Sequence, residues 1–160
     1  MLDQKLVADY FRKCFVSVDG LWFMTVEEDA GFEKALALDA AVWEVLPKIE
    51  ARTIRSLLDT GDGIEALRSA LEFKLTAEHY GFDLSPAGAG GFTLDVHECP
   101  WVRHIRKAGR EQFLDRISEA ICSLEYGTFA REFVPGVNLE HERTRCAAEG
   151  CCRFRFLAAR

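Results

Sequence analysis

A chain of 160 residues, about half of them apolar, suits one domain whose core is large enough to stand without covalent staples. Its net charge of −6, with basic runs no longer than His104 to Lys107 and Arg143 to Arg145, argues against nucleic acid, whose backbone demands concentrated positive charge. No basic stretch leads into an apolar one near Met1, and no run is long enough to span a bilayer, so the expectation is a soluble, cytoplasmic protein with neither membrane nor nucleic-acid partners.

From Leu2 to about Tyr80 apolar residues recur at helical spacing, as in Phe32, Leu36, Val42, Trp43, Leu46, Ile49 and Ile54, Leu57, Leu58. Asp19-Gly20 is expected to punctuate the first helix, Gly31 to separate a second, and Pro47 to kink the stretch that follows. Gly61-Asp62-Gly63 is a break, after which Ile64, Leu67, Leu71 and Leu75 form the stripe of another helix. Beyond Tyr80 the pattern alternates. Phe82 to Leu84 and Phe92 to Val96 predict a hairpin, Cys99-Pro100-Trp101 opens a short basic helix, and Phe113, Leu114, Ile117, Ile121 and Leu124 mark a longer one. Val137 to Cys146 and Cys151 to Leu157 predict a second hairpin across the turn Ala147 to Gly150. This order predicts an α+β fold: N-terminal helices, then an antiparallel sheet of about four strands with interleaved helices. The reading is a single domain over 1–160, helical in 1–80 and mixed in 81–160.

Five of the six cysteines lie between Cys99 and Cys152. In a reducing compartment such clustering reads first as metal ligands or redox groups. Alternation puts Cys99 off the apolar face of Phe92, Leu94 and Val96, and helical phase puts Cys122 opposite the arc of Phe113, Ile117, Ala120 and Leu124. Cys146 and Cys152 bracket one tight turn, with Cys152 pointing inward beside Phe154 and Phe156. Four thiolates converge on a tetrahedral ion in a closed structural site. The expected set is therefore Cys99, Cys122, Cys146 and Cys152 around zinc, with His97 as alternate donor and His79, His104 and His141 on the surface. No paired CxxC occurs. An iron–sulfur cluster suits the same residues, and ordinary reduced cysteines or a redox pair are the competing readings.

Asp19, Glu27, Glu28, Asp39, Glu50, Glu72 and Glu78 form a second constellation among the helices, where carboxylates can build di-metal or acid/base sites, although solvated helix faces account for most of them. Aromatic density suggests a ligand pocket lined by Trp22, Phe23, Trp43 and Phe73, with Arg52 gripping a carboxylate in two places. Apolar surface in the helical half, at Trp22, Phe23 and Phe32, suggests a homodimer.

The segments Val18 to Phe23, Val26-Glu27-Glu28 and Ala35 to Asp39 with Val42-Trp43 resemble an uncharacterised family of small prokaryotic cytosolic proteins. Lys48 to Arg52 and Ala70 to Leu75 extend the likeness over nearly the whole chain. The C-terminal half, with Cys99-Pro100, Cys122, Cys146 and Cys152 to Phe156, is similar to the aminothiazoline-carboxylate hydrolase-like family and, more distantly, to the 4-vinyl-reductase domain of small-molecule sensors. The sensor likeness implies zinc held by a helix cysteine, a glutamate three residues before a strand cysteine, and a cysteine after the next turn. Carried over, the cysteines become Cys122, Cys146 and Cys152. The glutamate position falls on Arg143, which cannot bind a metal, so Cys99 takes its place, with Glu142 or Cys151 as substitutes. The functional expectation is a zinc-stapled domain that binds a small organic molecule. The alternative is a hydrolase opening a cyclic C–N bond through metal-bound water or a Cys99 thiolate, and whether the chain is an enzyme stays open.

Overall fold

A computed structural model describes residues 2–88, 90–143 and 152–158. The helices are α1 (Gln4–Ala30), α2 (Phe32–Trp43), α3 (Leu46–Leu58), α4 (Ile64–Ala77), α5 (Pro100–Lys107) and α6 (Leu114–Arg131). The strands are β1 (Gly81–Pro86), β2 (Gly91–Glu98), β3 (Asn138–Arg143) and β4 (Cys152–Leu157). Helices followed by a four-stranded antiparallel sheet make the fold α+β, as the patterning predicts.

The chain divides into two compact units, residues 1–41 and 42–160, so the division falls inside α2. In the first unit the Asp3 carboxylate accepts from the Lys5 N–H at 2.9 Å, satisfying one of the orphan donors of α1's first turn. Asp19-Gly20 does not interrupt this helix, which runs 27 residues, roughly 40 Å. A glycine inside a helix costs only about 1 kcal/mol against alanine, too little to end it. Gly31, at φ 84°, does end it, and Phe23 meets Phe32 edge to face across the turn at 5.8 Å.

In the second unit the last residues of α2 are followed by α3. Pro47 starts this helix instead of kinking a longer one, because a first-turn residue needs no N–H partner. The Gly63 N–H donates to the Phe133 carbonyl at 2.9 Å, tying the start of α4 to the chain just past α6. Leu67, Leu71 and Leu75 are buried along α4 as their spacing requires.

The sheet order is β1-β2-β4-β3, all antiparallel, so the last strand in sequence lies inside the sheet. Phe92, Leu94 and Val96 of β2 and Phe154 and Phe156 of β4 share one buried face, packed with Leu67, Leu71, Leu75, Tyr126 and Phe129 in a single core. The opposite face carries cross-strand ion pairs: Arg153 to Asp95 at 2.6 and 3.3 Å, and Arg155 to Glu140 at 3.3 Å. Gly91 sits where β2 and β4 approach closely. A Cβ there would stand 2.6 Å from Leu157 Cδ2 and from the Phe156 carbonyl. Among the described residues no helix is long and apolar enough to cross a membrane.

Candidate functional site

The stripe that buries α4 contains one residue that does not belong by hydropathy. Lys74 shares its face with Leu67, Leu71 and Leu75 and is only 2% exposed. A lysine is almost never that deeply buried unless its charge is answered. Three carboxylates from three helices answer it: Glu50 of α3 at 3.0 Å, Glu78, one turn past Lys74 at the end of α4, at 2.5 Å, and Glu125 of α6 at 3.2 Å.

The electrostatics of this cluster follow from its stoichiometry. Burial pulls the Lys74 ammonium towards its neutral form, but Glu78, Glu125 and Glu50 outweigh that and raise its pKa, so it stays charged. Burial pushes Glu125 up to about 7, with Lys74 opposing and the like charges of Glu78 and Glu50 adding to the rise. Glu78 is also raised, again first by burial. One ammonium thus faces three carboxylates, and Glu125 is poised to hold or release a proton near neutrality.

Glu50 and Glu78 keep 18% and 24% of their side chains exposed, whereas Glu125 keeps 6%. Glu50 and Glu78 are among the residues that line a groove of about 230 Å³ between α3 and α4, whose surface is almost wholly apolar. Its walls are Ile49, Thr53, Ile54, Leu57, Phe73 and Ala77, and its polar groups are Glu50, Lys74 and Glu78. Electrostatically coupled to the cluster are two tyrosines, the buried Tyr126 and the half-buried Tyr80, both pushed well up by burial of the hydroxyl and further by Cys99 and Glu125. Cys99 caps the start of α5. Burial pushes its thiol up to about 11, against the pull of the Val102 and Trp101 N–H groups and the Tyr80 hydroxyl.

The chain matches the model of a family of unknown function, DUF6125, over residues 3–152. It belongs to that family. No curated protein and no solved structure matches it. The DUF6125 match spans Glu50, Lys74, Glu78 and Glu125 as well as Cys99 and Cys122, so the whole cluster lies within the family segment.

In this DUF6125 chain Cys99 and Cys122 sit differently from their predicted faces. Cys99 leaves the strand register after Glu98 and packs against the core. Cys122 also packs against the core, because α6 buries Leu114, Ser118, Ile121, Glu125 and Phe129, while Ile117, Ala120 and Leu124 are only half-buried. The buried face of α6 thus includes the polar Ser118 and Glu125 and is not the apolar arc of Phe113, Ile117, Ala120 and Leu124. Cys152 points to the core as expected. Cys99 and Cys122 both bear electrostatically on the Tyr126 hydroxyl. Cys146 and Cys151 lie outside the described residues. Among those that are described, no three His, Cys, Asp or Glu side chains come together as a metal-binding group. His97 is exposed, 3.7 Å from Asp83, and Glu142 is exposed on β3, 4.0 Å from Arg153. His141 is not a surface residue: it is half-buried, stacked on Phe154 at 4.1 Å with Nδ1 2.9 Å from Ser123 Oγ.

Of the aromatic and arginine set, Phe73 lines the groove. Trp43 is buried, edge to face with Trp101 at 5.9 Å, and Arg52 forms a two-point pair with Glu132 at 2.8 and 3.2 Å. In the first unit Phe23 is buried and Trp22 is 42% exposed. The second constellation fares better, since Glu50 and Glu78 do converge. Sequence reading missed Lys74 and Glu125. Their signal was a charged residue at a position the apolar stripe of its helix requires to be buried.

Proposed function

We propose that the chain is a small-molecule-binding domain whose groove between α3 and α4 takes a small organic cation with an apolar body. The observation that carries this reading is the excess of carboxylates over ammonium beneath apolar walls: Glu50 and Glu78 line the groove, and even with Glu125 protonated the single Lys74 charge leaves the cluster negative. A cationic head restores the balance, while Ile49, Leu57 and Phe73 receive its tail. The volume lies just under the roughly 300–1,000 Å³ usual for small-molecule sites, which suits a short ligand. Bound positive charge lowers the pKa of Glu125, so binding near pH 7 releases a proton. Calorimetric titration with hexylammonium, hexanol and hexanoate tests this. The ammonium should bind best, with a heat that varies with the ionisation enthalpy of the buffer, and Glu50→Gln and Phe73→Ala should each weaken it. Hexanol binding as well as hexylammonium would overturn the reading.

What supports the zinc reading is that Cys99, Cys122 and Cys152 all pack against the same core. With Cys146 they would close a structural site that is coordinatively complete. The hydrolase reading, which the likeness to the aminothiazoline-carboxylate family suggests, asks more of Cys99. A thiol held near pKa 11 is the reverse of an activated nucleophile unless a metal deprotonates it.

A further inference from the structure

One face of α1 carries Phe11, Phe15, Val18 and Trp22, which at 100° per residue fall within one narrow arc and are 64%, 37%, 65% and 42% exposed. Tyr10 and Leu21 flank them at 63% and 60%. The spacing of the four, 4-3-4, reads the same from either end. A helix reversed against itself therefore meets its own stripe in register, Phe11 opposite Trp22 and Phe15 opposite Val18, in the alternating pattern of a heptad seam. At about 150–250 Å² per large side chain, the exposed stripe and flanks offer about 650 Å² per copy. Two copies would bury about 1,300 Å², within the roughly 1,200–2,000 Å² of stable interfaces.

Charge supplies an independent argument for direction. Arg12 and Asp19 lie beside the stripe on the same flank, seven residues apart, so reversal brings the guanidinium of one copy to the carboxylate of the other. Parallel pairing would not. Asp19 is partly buried, and burial raises its pKa with no cationic neighbour acting against the rise. Arg12 reaches Asp9 through Nη2 at 3.2 Å, while its Nε is buried with no hydrogen bond.

We propose that two copies of the chain pair through α1, antiparallel about a two-fold axis near Val16 and Ser17, with Phe11 on Trp22, Phe15 on Val18 and Arg12 facing Asp19 of the second copy. The contact is isologous and closes at two.

Sedimentation equilibrium across about 0.5–50 μM full-length chain should report a dimer. Phe11 and Val18 are the most exposed members of the stripe, so Phe11→Glu with Val18→Glu should leave the far-ultraviolet dichroism unchanged yet weaken association by about 100-fold. Arg12→Asp and Asp19→Arg should each weaken it several-fold, and the double exchange should restore it, because it rebuilds the same pair with its charges reversed. A wild-type chain that stays monomeric throughout overturns the proposal, and a monomer that binds phosphatidylglycerol vesicles reassigns the face to a lipid surface. A dimer that survives the paired glutamates overturns it as well. Failure of the double exchange to restore association overturns the antiparallel arrangement.

Discussion

Lys74 Nζ lies 3.2 Å from Glu125 Oε1 at the centre of the second unit, where both side chains are almost wholly removed from water. The pair joins α4 to α6, and through Glu50 it also reaches α3. A buried ammonium–carboxylate pair adds little net stability, but removing one partner is costly because the other charge is left buried. With three acids around one base, the proton count at the cluster sets its charge.

Glu125 makes stability depend on pH in a stated direction. Its folded pKa, about 7, lies above its ordinary value, so between roughly pH 4.5 and 7 the folded state binds more protons than the unfolded state. Stability is greatest at the acid end of that window and declines as pH rises through 7. Glu78, raised in the same direction, adds to the decline. Urea unfolding of the wild type should lose roughly 2–3 kcal/mol between pH 5 and 8, and Glu125→Gln should lose much less. A wild type as stable at pH 8 as at pH 5 would show that Glu125 is not perturbed.

Removing the cation is the complementary experiment. Lys74→Met leaves three carboxylates without their counter-charge and should destabilise the protein by about 3–5 kcal/mol at pH 7. The loss should shrink at pH 5, where the acids can be neutral. An equal loss at both values would mean that the lysine acts through packing of its chain alone.

Two glycines should respond oppositely to alanine. Gly91→Ala forces a Cβ against Leu157 and the Phe156 carbonyl and should cost about 1–3 kcal/mol. Gly20→Ala lies mid-helix with nothing within 4 Å and should stabilise by up to about 1 kcal/mol. Thermal melts of the two variants separate close strand approach from helix propensity.

Elemental analysis of protein purified without chelator decides the cysteine reading. Under it, about one zinc per chain is expected in a colourless solution, whereas iron with a brown solution points to a cluster. Cys146→Ser should then lower metal content and melting temperature together, because metal binding free energy is partly folding free energy. Cys14→Ser, on α1, should change neither. No metal in the wild type, or two variants that behave alike, would reduce these cysteines to packing residues.

The sequence by itself determined the α+β class, the first hairpin, the two later strands (their expected turn, Ala147 to Gly150, lies outside the described residues), the break at Gly61 to Gly63 and the inward face of Phe92, Leu94, Val96, Phe154 and Phe156. All of these follow from local periodicity and turn chemistry, which act over a few residues. It also held Glu50 and Glu78 as candidates, though among carboxylates in other settings: Glu28 and Glu72 are exposed, Asp19 and Glu27 half-buried, and Asp39 is buried in the first unit. Only the tertiary structure decided that β4 lies between β2 and β3, because alternation fixes a strand's faces and says nothing about its neighbours. Only the tertiary structure, likewise, decided that Lys74 and Glu125 are interior. Hydropathy assigns a charged side chain to water, and the exception arises when residues 51 positions apart, on helices brought together by the core, supply each other's counter-charge. The same long-range packing moved Cys99 and Cys122 from their predicted faces to the core, where burial raises the Cys99 thiol.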